Sequence, residues 1–246
     1  MIKICSTPHT AFSAKVLKHQ LTSLGYKAII IDKPIQIDKS LHIFIGIHPN
    51  WRLPRNYIFW QTEVVESHYF TKRYLDIIKN SLQVWEYNKA NLSAYSHKDV
   101  KLIEPSVLIQ PSANKDIDFV FYGWIEGSKR RKLLLNELGK HLNVKIYTNV
   151  LKDQMWNILA RTKVILNIHY YDSSPLELFR ISECFSHGCH VVSEGSSTHW
   201  SDVSFANGIE DFIIKAKELK DKPFDYNLSK YDNTEKIKQS IQKLIR

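Results

Sequence analysis

The sequence predicts an α/β protein made of two Rossmann-like domains. Short apolar segments alternate with helical patterns along the chain, as expected for buried parallel strands joined by helical crossovers. A polar segment that contains proline, IQPSANKDID at 109–118, interrupts this alternation, which then restarts. We therefore predict a first domain over residues 1–110 and a second over 111–246, facing each other across a cleft.

The individual elements follow from the local pattern of apolar residues. In the first domain we predict strands at 2–6, 27–32, 42–47, 57–61, 82–87 and 100–105, and helices at 11–24 and 69–81. In the second we predict strands at 118–123, 144–148, 164–171 and 190–194, and helices at 128–142, 152–162 and 176–187. From residue 233 a last amphipathic helix is predicted, with Asn233 or Thr234 as its cap.

Composition limits the class of protein. With 246 residues, 43% of them hydrophobic, the chain can bury a substantial core. Its three cysteines suggest no disulfide framework, and no apolar run is long enough to cross a membrane, so we expect a cytoplasmic protein, peripheral to a membrane at most. The net charge of +9 favours anionic partners.

Several familiar motifs are missing or weak. The eight glycines form no G-x-G-x-x-G or P-loop pattern, which disfavours NAD, FAD and P-loop ATP chemistry. Asp116-Ile117-Asp118 matches the Asp-x-Asp motif of metal-dependent sugar transferases, but it precedes a strand instead of following one. The cysteines and histidines at 184–190 lack a second ligand pair at zinc-finger spacing. We therefore expect no metal site and no required cofactor, and we interpret 184–190 as a turn with buried cysteines.

The segment VILNIHYYDSSPLELFRISECFSHGCHVVSE at 164–194 is the most informative part of the chain. It combines a strand, a loop, a helix with Arg180 and Glu183 three residues apart, and a second strand. Ligands of open parallel sheets collect at the carboxyl ends of the strands, where an arginine can hold a diphosphate and a carboxylate can accept hydrogen bonds from ribose. The alternative is a simple ion pair on a solvated helix face.

This order of strand, Arg/Glu-bearing helix and GCHVVSE strand resembles the C-terminal lobe of GT-B glycosyltransferases. The segments YIFWQTE at 57–63 and VWEYNKAN at 84–91 look like the acceptor lobe of a bacterial and viral group of these enzymes. DFVFYGWIEGSKRRKLL, which begins at Asp118, looks like the family's FYG segment, and the R-x-x-E pair is similar to that of phage DNA β-glucosyltransferases. The resemblance implies a GT-B-like fold.

The resemblance also implies roles for individual residues. Arg130 and Arg180 would hold the donor's diphosphate and Glu183 its ribose, with Lys129 or Arg131 replacing Arg130 if the alignment shifts by one. Retaining GT-B enzymes often carry a second glutamate eight positions earlier, where this chain has a proline. Glu177 lies six positions earlier instead, and it either caps the helix or contacts the sugar.

Further candidates follow from their places after strands. Glu63 follows an apolar strand and is our candidate general base, with His9 as the second choice; the alternatives are that Glu63 opens a turn or pairs with a lysine, and that His9 is a loop histidine without a role. We expect His169 and Tyr170 to line the sugar pocket. Ser173 and Ser174 are expected to contact phosphate at the helix start.

The predicted reaction moves a sugar from a UDP- or GDP-sugar to a hydroxyl of a glycan or another acceptor, without a metal ion. Two alternatives stay open. The acceptor could be DNA in a phage or virus, which the basic charge supports although the chain carries no DNA-binding motif. The chain could also be a non-catalytic module that binds nucleotide sugars.

Overall fold

The computed structural model describes residues 1–34, 39–48, 51–65, 67–111, 113–171, 174–197 and 199–245. The chain forms two compact units. Unit 1 comprises Met1–Ser106 and Ser229–Arg246, and unit 2 comprises Val107–Leu228. Each unit contains one parallel sheet with helices, which confirms the predicted α/β class.

Unit 1 contains a six-stranded sheet in the order β2-β1-β3-β4-β5-β6. Its strands are β1 Ile2–Ser6, β2 Ala28–Ile30, β3 Leu41–Ile45, β4 Tyr57–Trp60, β5 Gln83–Glu86 and β6 Val100–Leu102, and its first helices are α1 Ala11–Ser23 and α2 Lys72–Asn80. Buried Phe44, Phe59 and Val84 of the sheet pack with Tyr74 and Ile78 of α2. Burying side chains of this size contributes about 1.5–3 kcal/mol each.

Unit 2 contains a five-stranded sheet in the order β11-β10-β9-β7-β8. Its strands are β7 Ile117–Tyr122, β8 Val144–Tyr147, β9 Thr162–Asn167, β10 His190–Ser193 and β11 Ser204–Phe205, and its helices are α3 Lys129–Gly139, α4 Asp153–Ala160, α5 Leu178–Ser186 and α6 Ile209–Lys220. Phe121, Leu166 and Val192 of the sheet pack against Phe212 and Ala216 of α6.

The predicted domain boundaries need correction at both ends of the second domain. The division falls after Ser106 instead of after residue 110, and the last helix, α7 Thr234–Gln242, belongs to unit 1. Trp85 donates from Nε1 to Ser240 Oγ over 2.7 Å, and Ile237 and Ile241 are fully buried. These contacts join residues about 155 positions apart, so local patterns could not reveal them.

The remaining differences are local. β9 ends at Asn167, earlier than predicted, because the backbone N–H of His169 donates to the Glu194 carboxylate instead of continuing the sheet. Strand β11 and helix α6 were not predicted. Asn233, one of the two predicted caps, occupies the N-cap position of α7, but its side chain makes no capping bond because its amide donates to Glu104 O.

Candidate functional site

Polar side chains of unit 2 meet where its central strands end. Tyr122 ends β7, Asn167 ends β9, and Ser193, which lies opposite Asn167 in the register, ends β10. Because these strands are parallel, their carboxyl ends share one edge of the sheet, the edge at which ligands of such folds bind. Asn167 Nδ2 donates to Ser193 Oγ and to Glu177 Oε2, over 2.9 and 2.8 Å.

Glu183 lies on α5 with both carboxylate oxygens hydrogen-bonded. Trp156 of α4 donates from Nε1 to Oε1 over 2.7 Å, and the Tyr122 hydroxyl donates to Oε2 over 3.3 Å. Burial raises the pKa of Glu183 to about 7, although these hydrogen bonds and the Arg180 charge act in the opposite direction. This carboxyl group therefore titrates near neutral pH.

Arg180 reaches the same tyrosine from one turn earlier on α5. Its guanidinium lies over the Tyr122 ring, 5.1 Å from the centroid, and Nη1 donates to Asn167 Oδ1 over 2.9 Å. Arg180 thus contacts the ring face of Tyr122, whereas Glu183 accepts a hydrogen bond from the Tyr122 hydroxyl. They make these contacts instead of forming the simple ion pair that their spacing allowed. A Cβ atom at Gly123, where φ is +141°, would lie 3.1 Å from Arg180 Nη2, so glycine makes room for the guanidinium.

Glu177 is engaged by side chains, not by the helix backbone. It occupies the N-cap position of α5, as the capping interpretation predicted, but its side chain makes no capping hydrogen bond. Its Oε2 lies 2.7 Å from His169 Nδ1. Burial alone would raise the pKa of Glu177, but the hydrogen bond with His169 and the charge of Arg180 outweigh it and lower the pKa to about 2.

His169 is held on both ring nitrogens. Besides Glu177 at Nδ1, Nε2 lies 3.0 Å from Glu194 O, and only 3% of the residue is exposed. Next to it, Tyr170 donates from its hydroxyl to Glu126 O over 3.2 Å, and its ring faces the Arg131 guanidinium. Both residues therefore hold loops of unit 2 together, and their predicted contact with a sugar stays a prediction.

The two neighbouring arginines of α3 differ in their surroundings. Arg130 forms a two-pronged ion pair with Glu194 and also donates to His169 O. Arg131 is 3% exposed and donates to Ile168 O and Trp124 O, and burial lowers its pKa to about 10. Sequence reasoning missed Glu194, although its place directly after β10 was a signal.

The predicted phosphate-binding serines fall before the helix. Ser173 lies outside the described residues. The Ser174 backbone N–H donates to Tyr171 O over 3.3 Å. Because α5 begins at Leu178, later than predicted, Ser174 does not lie in its first turn. Ser174 lies three positions before the N-cap residue Glu177, and its predicted contact with phosphate stays a prediction.

In unit 1 the two candidate bases follow strands of the same sheet. Glu63 follows β4, and its Oε2 accepts a hydrogen bond from Ser67 Oγ over 2.9 Å. Burial raises the pKa of Glu63, which that hydrogen bond opposes. His9 is exposed in a 3-10 helix, Pro8–Thr10, that follows β1. Glu63 is therefore a half-buried carboxyl group, and its side-chain hydrogen-bond partner is a serine instead of a lysine.

Glu86, which sequence reasoning missed, lies at the end of β5 and is fully buried. Its carboxylate accepts hydrogen bonds from the Tyr95 hydroxyl at 2.8 Å, the Asn88 backbone N–H at 2.8 Å and Asn91 Nδ2 at 3.1 Å. Asn91 Nδ2 also donates to Glu63 O. Glu86 is therefore linked through Asn91 to the backbone carbonyl of Glu63. A charged residue inside the otherwise apolar segment VWEY was the sequence signal that could have identified it.

Solved structures share this architecture. AviGT4, a glycosyltransferase involved in avilamycin A biosynthesis, superposes with a TM-score of 0.61 at 11% identity, covering 98% of this chain and 96% of that one. An α-glucosyltransferase in complex with UDP-glucose and DNA containing an abasic site gives 0.57 at 8% identity, covering 100% and 99%. An α1,3-fucosyltransferase with GDP-fucose gives 0.53 at 11% identity, covering 99% and 90%. The chain has a GT-B-type fold.

The sequence comparisons gave no match for this GT-B-type chain. No protein-family model matches it, and no curated protein matches it. At identities of 8–11% the structural likeness establishes the fold. The function of this GT-B-type protein must therefore be argued from its own residues.

The described residues of the GT-B-type structure show neither a cluster of metal ligands nor a helix that could span a membrane. In the described residues, no three His, Cys, Asp or Glu side chains are grouped to hold a metal ion. Cys184 and Cys189 are buried thiols on either side of the turn between α5 and β10, as predicted. Asp116 and Asp118 pair with Arg161 and Lys163. None of the helices described is long and apolar enough to span a bilayer.

Proposed function

We propose that the protein is a glycosyltransferase that moves a sugar from a nucleoside diphosphate sugar to a hydroxyl group. The observation that carries this proposal is the cluster of Arg180, Tyr122, Glu183 and Asn167 at the carboxyl edge of the sheet in unit 2. It combines a guanidinium with a half-buried carboxyl group on one helix. The GT-B-type fold of enzymes that carry GDP-fucose or UDP-glucose supports it.

The cationic side chains would bind the diphosphate. Arg180 presents a guanidinium one turn into α5, and Arg130 lies at the start of α3. Because Arg130 is already paired with Glu194, a diphosphate would have to share or displace that carboxylate. Fixed guanidinium groups can neutralise the charge that develops on a leaving diphosphate, so the reaction would need no metal ion.

Glu183 would bind the ribose. Each carboxylate oxygen can accept about two hydrogen bonds, so one acceptor position on each remains beyond Trp156 and Tyr122. A ribose diol offers two hydroxyl donors that suit these positions. Glu177, which Asn167 and His169 hold through Oε2, would contact the sugar through Oε1.

The transfer itself needs a base for the acceptor. As the bond between the anomeric carbon and the β-phosphate oxygen breaks, the acceptor oxygen bonds to that carbon and gives its proton to a carboxylate. Glu63 suits this role because burial raises its pKa towards the operating pH. His9 is the second candidate. The nucleoside diphosphate leaves with the electron pair of the broken bond.

Thermal-shift measurements with a panel of UDP- and GDP-sugars test the donor site. Binding at 100 times Kd should stabilise the protein by about 2.7 kcal/mol, and Glu183→Ala should abolish the response. Glu137→Ala is the matched control, because Glu137 lies on the outside of unit 2 in an exposed pair with Lys140. An undiminished response in Glu183→Ala would show that the ribose lies elsewhere.

Release of nucleoside diphosphate with the stabilising donor tests catalysis. We expect turnover in the wild type and a loss of kcat in Glu63→Gln, with the donor-induced thermal shift retained. Binding without turnover or donor hydrolysis across the panel would identify a non-catalytic sugar-nucleotide module instead. Unchanged kcat in Glu63→Gln together with a loss in His9→Ala would transfer the base role to His9.

A further inference from the structure

Trp124 is the one tryptophan in the described part of the chain that is exposed. Tryptophan side chains are mostly buried in folded proteins, yet 52% of Trp124 is exposed. It lies on the loop between β7 and α3, directly after the end of β7. An exposed indole at the ligand-binding edge of a parallel sheet offers a flat surface for a ring.

The backbone under this indole is fixed from several directions. Arg131 Nη1 donates to Trp124 O over 2.6 Å, and the Tyr170 hydroxyl donates to Glu126 O over 3.2 Å. Gly123, before the tryptophan, donates its N–H to Tyr147 O over 3.1 Å. The backbone that carries the exposed ring is therefore held in place, which lowers the entropy that the loop loses when a ligand stacks on the ring.

Exposed cations follow the tryptophan. Lys129 and Lys132 both lie in the first turn of α3, which contains no acidic residue. Positive charges at a helix N-terminus oppose the helix dipole and cost stability. Lys132 pairs with Glu126 at 3.1 Å, whereas Lys129 has no carboxylate within 4 Å in the described part of the chain. This arrangement is not explained by the stability of the helix.

We propose that Trp124, Lys129 and Lys132 form a nucleic-acid contact surface, on which the indole stacks an unpaired base and the lysines contact phosphates. Aromatic side chains beside a positive track are the usual means of binding single strands. The net charge of +9 fits a polyanionic partner. The inference deepens the proposed function, on which it rests for its catalytic meaning, because it assigns nucleic acid as the class of acceptor.

Two other acceptor classes match only part of this surface. A neutral glycan could stack on the indole but would leave the lysines without partners. An anionic polymer without bases would engage the lysines but not require an aromatic ring. The combination of a flat ring and cations on one fixed loop favours a ligand that has both bases and phosphates.

Fluorescence anisotropy with a labelled single-stranded oligonucleotide tests this surface, in the full chain and at several salt concentrations. Trp124→Ala should weaken binding by about 5- to 150-fold, as expected for loss of about 1–3 kcal/mol from one stacked base. Trp124→Phe should restore part of the affinity. The double variant Lys129→Ala/Lys132→Ala should reduce the slope of log K against log salt by about 1.4.

Matched controls lie on the same helix. Leu133→Ala removes another exposed apolar side chain, 69% exposed, and Lys140→Ala removes a cation from the far end of α3, and neither should alter DNA binding. Heparin, a polyanion without bases, should bind Trp124→Ala as tightly as the wild type. Equal loss of heparin and DNA binding in Trp124→Ala would identify a surface for anionic polymers in general and overturn the proposal.

Failure of this inference is distinguishable from failure of the proposed function. If the wild type does not bind the oligonucleotide, or if Trp124→Ala binds it with unchanged affinity, the nucleic-acid surface is excluded whatever the donor assays give. If the oligonucleotide results hold but no nucleotide sugar shifts the unfolding temperature, the glycosyltransferase proposal fails while the contact surface stands.

Discussion

Trp156 and Glu183, which lie on different helices, are joined by a 2.7 Å hydrogen bond from the indole nitrogen to the carboxylate. This bond and the Tyr122 hydroxyl keep a carboxyl group inside unit 2 whose pKa is raised to about 7 by burial. The proposed donor site therefore contains a carboxyl group that is partly protonated at neutral pH.

The titration of Glu183 predicts a specific effect of pH on stability. Between its ordinary pKa of 4.5 and the folded value of about 7, the folded state keeps a proton that the unfolded state has lost. The free energy of unfolding should therefore fall as pH rises through this window. Glu183→Gln removes that term, so between pH 5 and pH 8 it should gain up to about 3 kcal/mol relative to the wild type. Urea unfolding at both pH values measures the difference; parallel pH profiles would contradict the prediction.

Glu177 should behave in the opposite sense. Its pKa is lowered from 4.5 to about 2 in the folded state, so its contribution is present above the ordinary pKa and is lost as pH falls towards 2. At pH 7, Glu177→Gln should cost up to about 3 kcal/mol, and the cost should shrink on acidification from pH 5 to pH 3. Urea titrations at pH 7, 5 and 3 test it, with Glu218→Gln as an exposed control. A cost that does not vary with pH would show that packing alone is involved.

Arg131 should be important for stability, not only for binding. Its buried guanidinium satisfies Ile168 O and Trp124 O, which would be left without these donors in Arg131→Met. We expect a loss of about 3 kcal/mol or more in urea unfolding, because hydrogen bonds from a charged donor contribute about 1.5–3 kcal/mol each. Arg161→Ala, which breaks a solvent-exposed pair with Asp116, should leave the free energy of unfolding nearly unchanged. Similar losses in both variants would disprove this assignment.

Two glycines should respond oppositely to substitution by alanine. Gly195 has a φ of +87°, and a Cβ there would lie 3.0 Å from His169 Nε2, so Gly195→Ala should cost about 1–3 kcal/mol. Gly139 is helical with open space around the Cβ position, so Gly139→Ala should stabilise the protein by about 0.5–1 kcal/mol. Calorimetry should show Tm shifts of opposite sign, and a stable Gly195→Ala variant would argue against a tight turn at His169.

The sequence allowed prediction of the elements that depend on local pattern. Helix α5 and strand β10 are found with Arg180 and Glu183 where expected, because apolar periodicity identifies buried strands and amphipathic helices. The hydrogen-bond partners of Arg180 and Glu183 could not be predicted from the sequence. Trp156 lies 27 positions from Glu183, and no spacing rule connects them.

Two other features depended on long-range contacts. The role of Glu194 is visible only in the folded chain, where its carboxylate contacts Arg130 and the backbone N–H of His169. Helix α7 followed the predicted pattern, yet its place in unit 1 is decided by Gln20, Trp85 and buried Ile241. Periodicity predicts that a helix forms, but it does not predict which core the helix completes.

The return of the chain to unit 1 has a consequence for its biosynthesis. Residues 107–228 are contiguous, so a ribosome exposes all of unit 2 before it exposes α7. Unit 1 begins before unit 2 but must wait for Ile237, Ser240 and Ile241, which are translated after all of unit 2. Unit 1 therefore stays incomplete while unit 2, although translated later, can already fold, which reverses the usual order in which domains fold during synthesis.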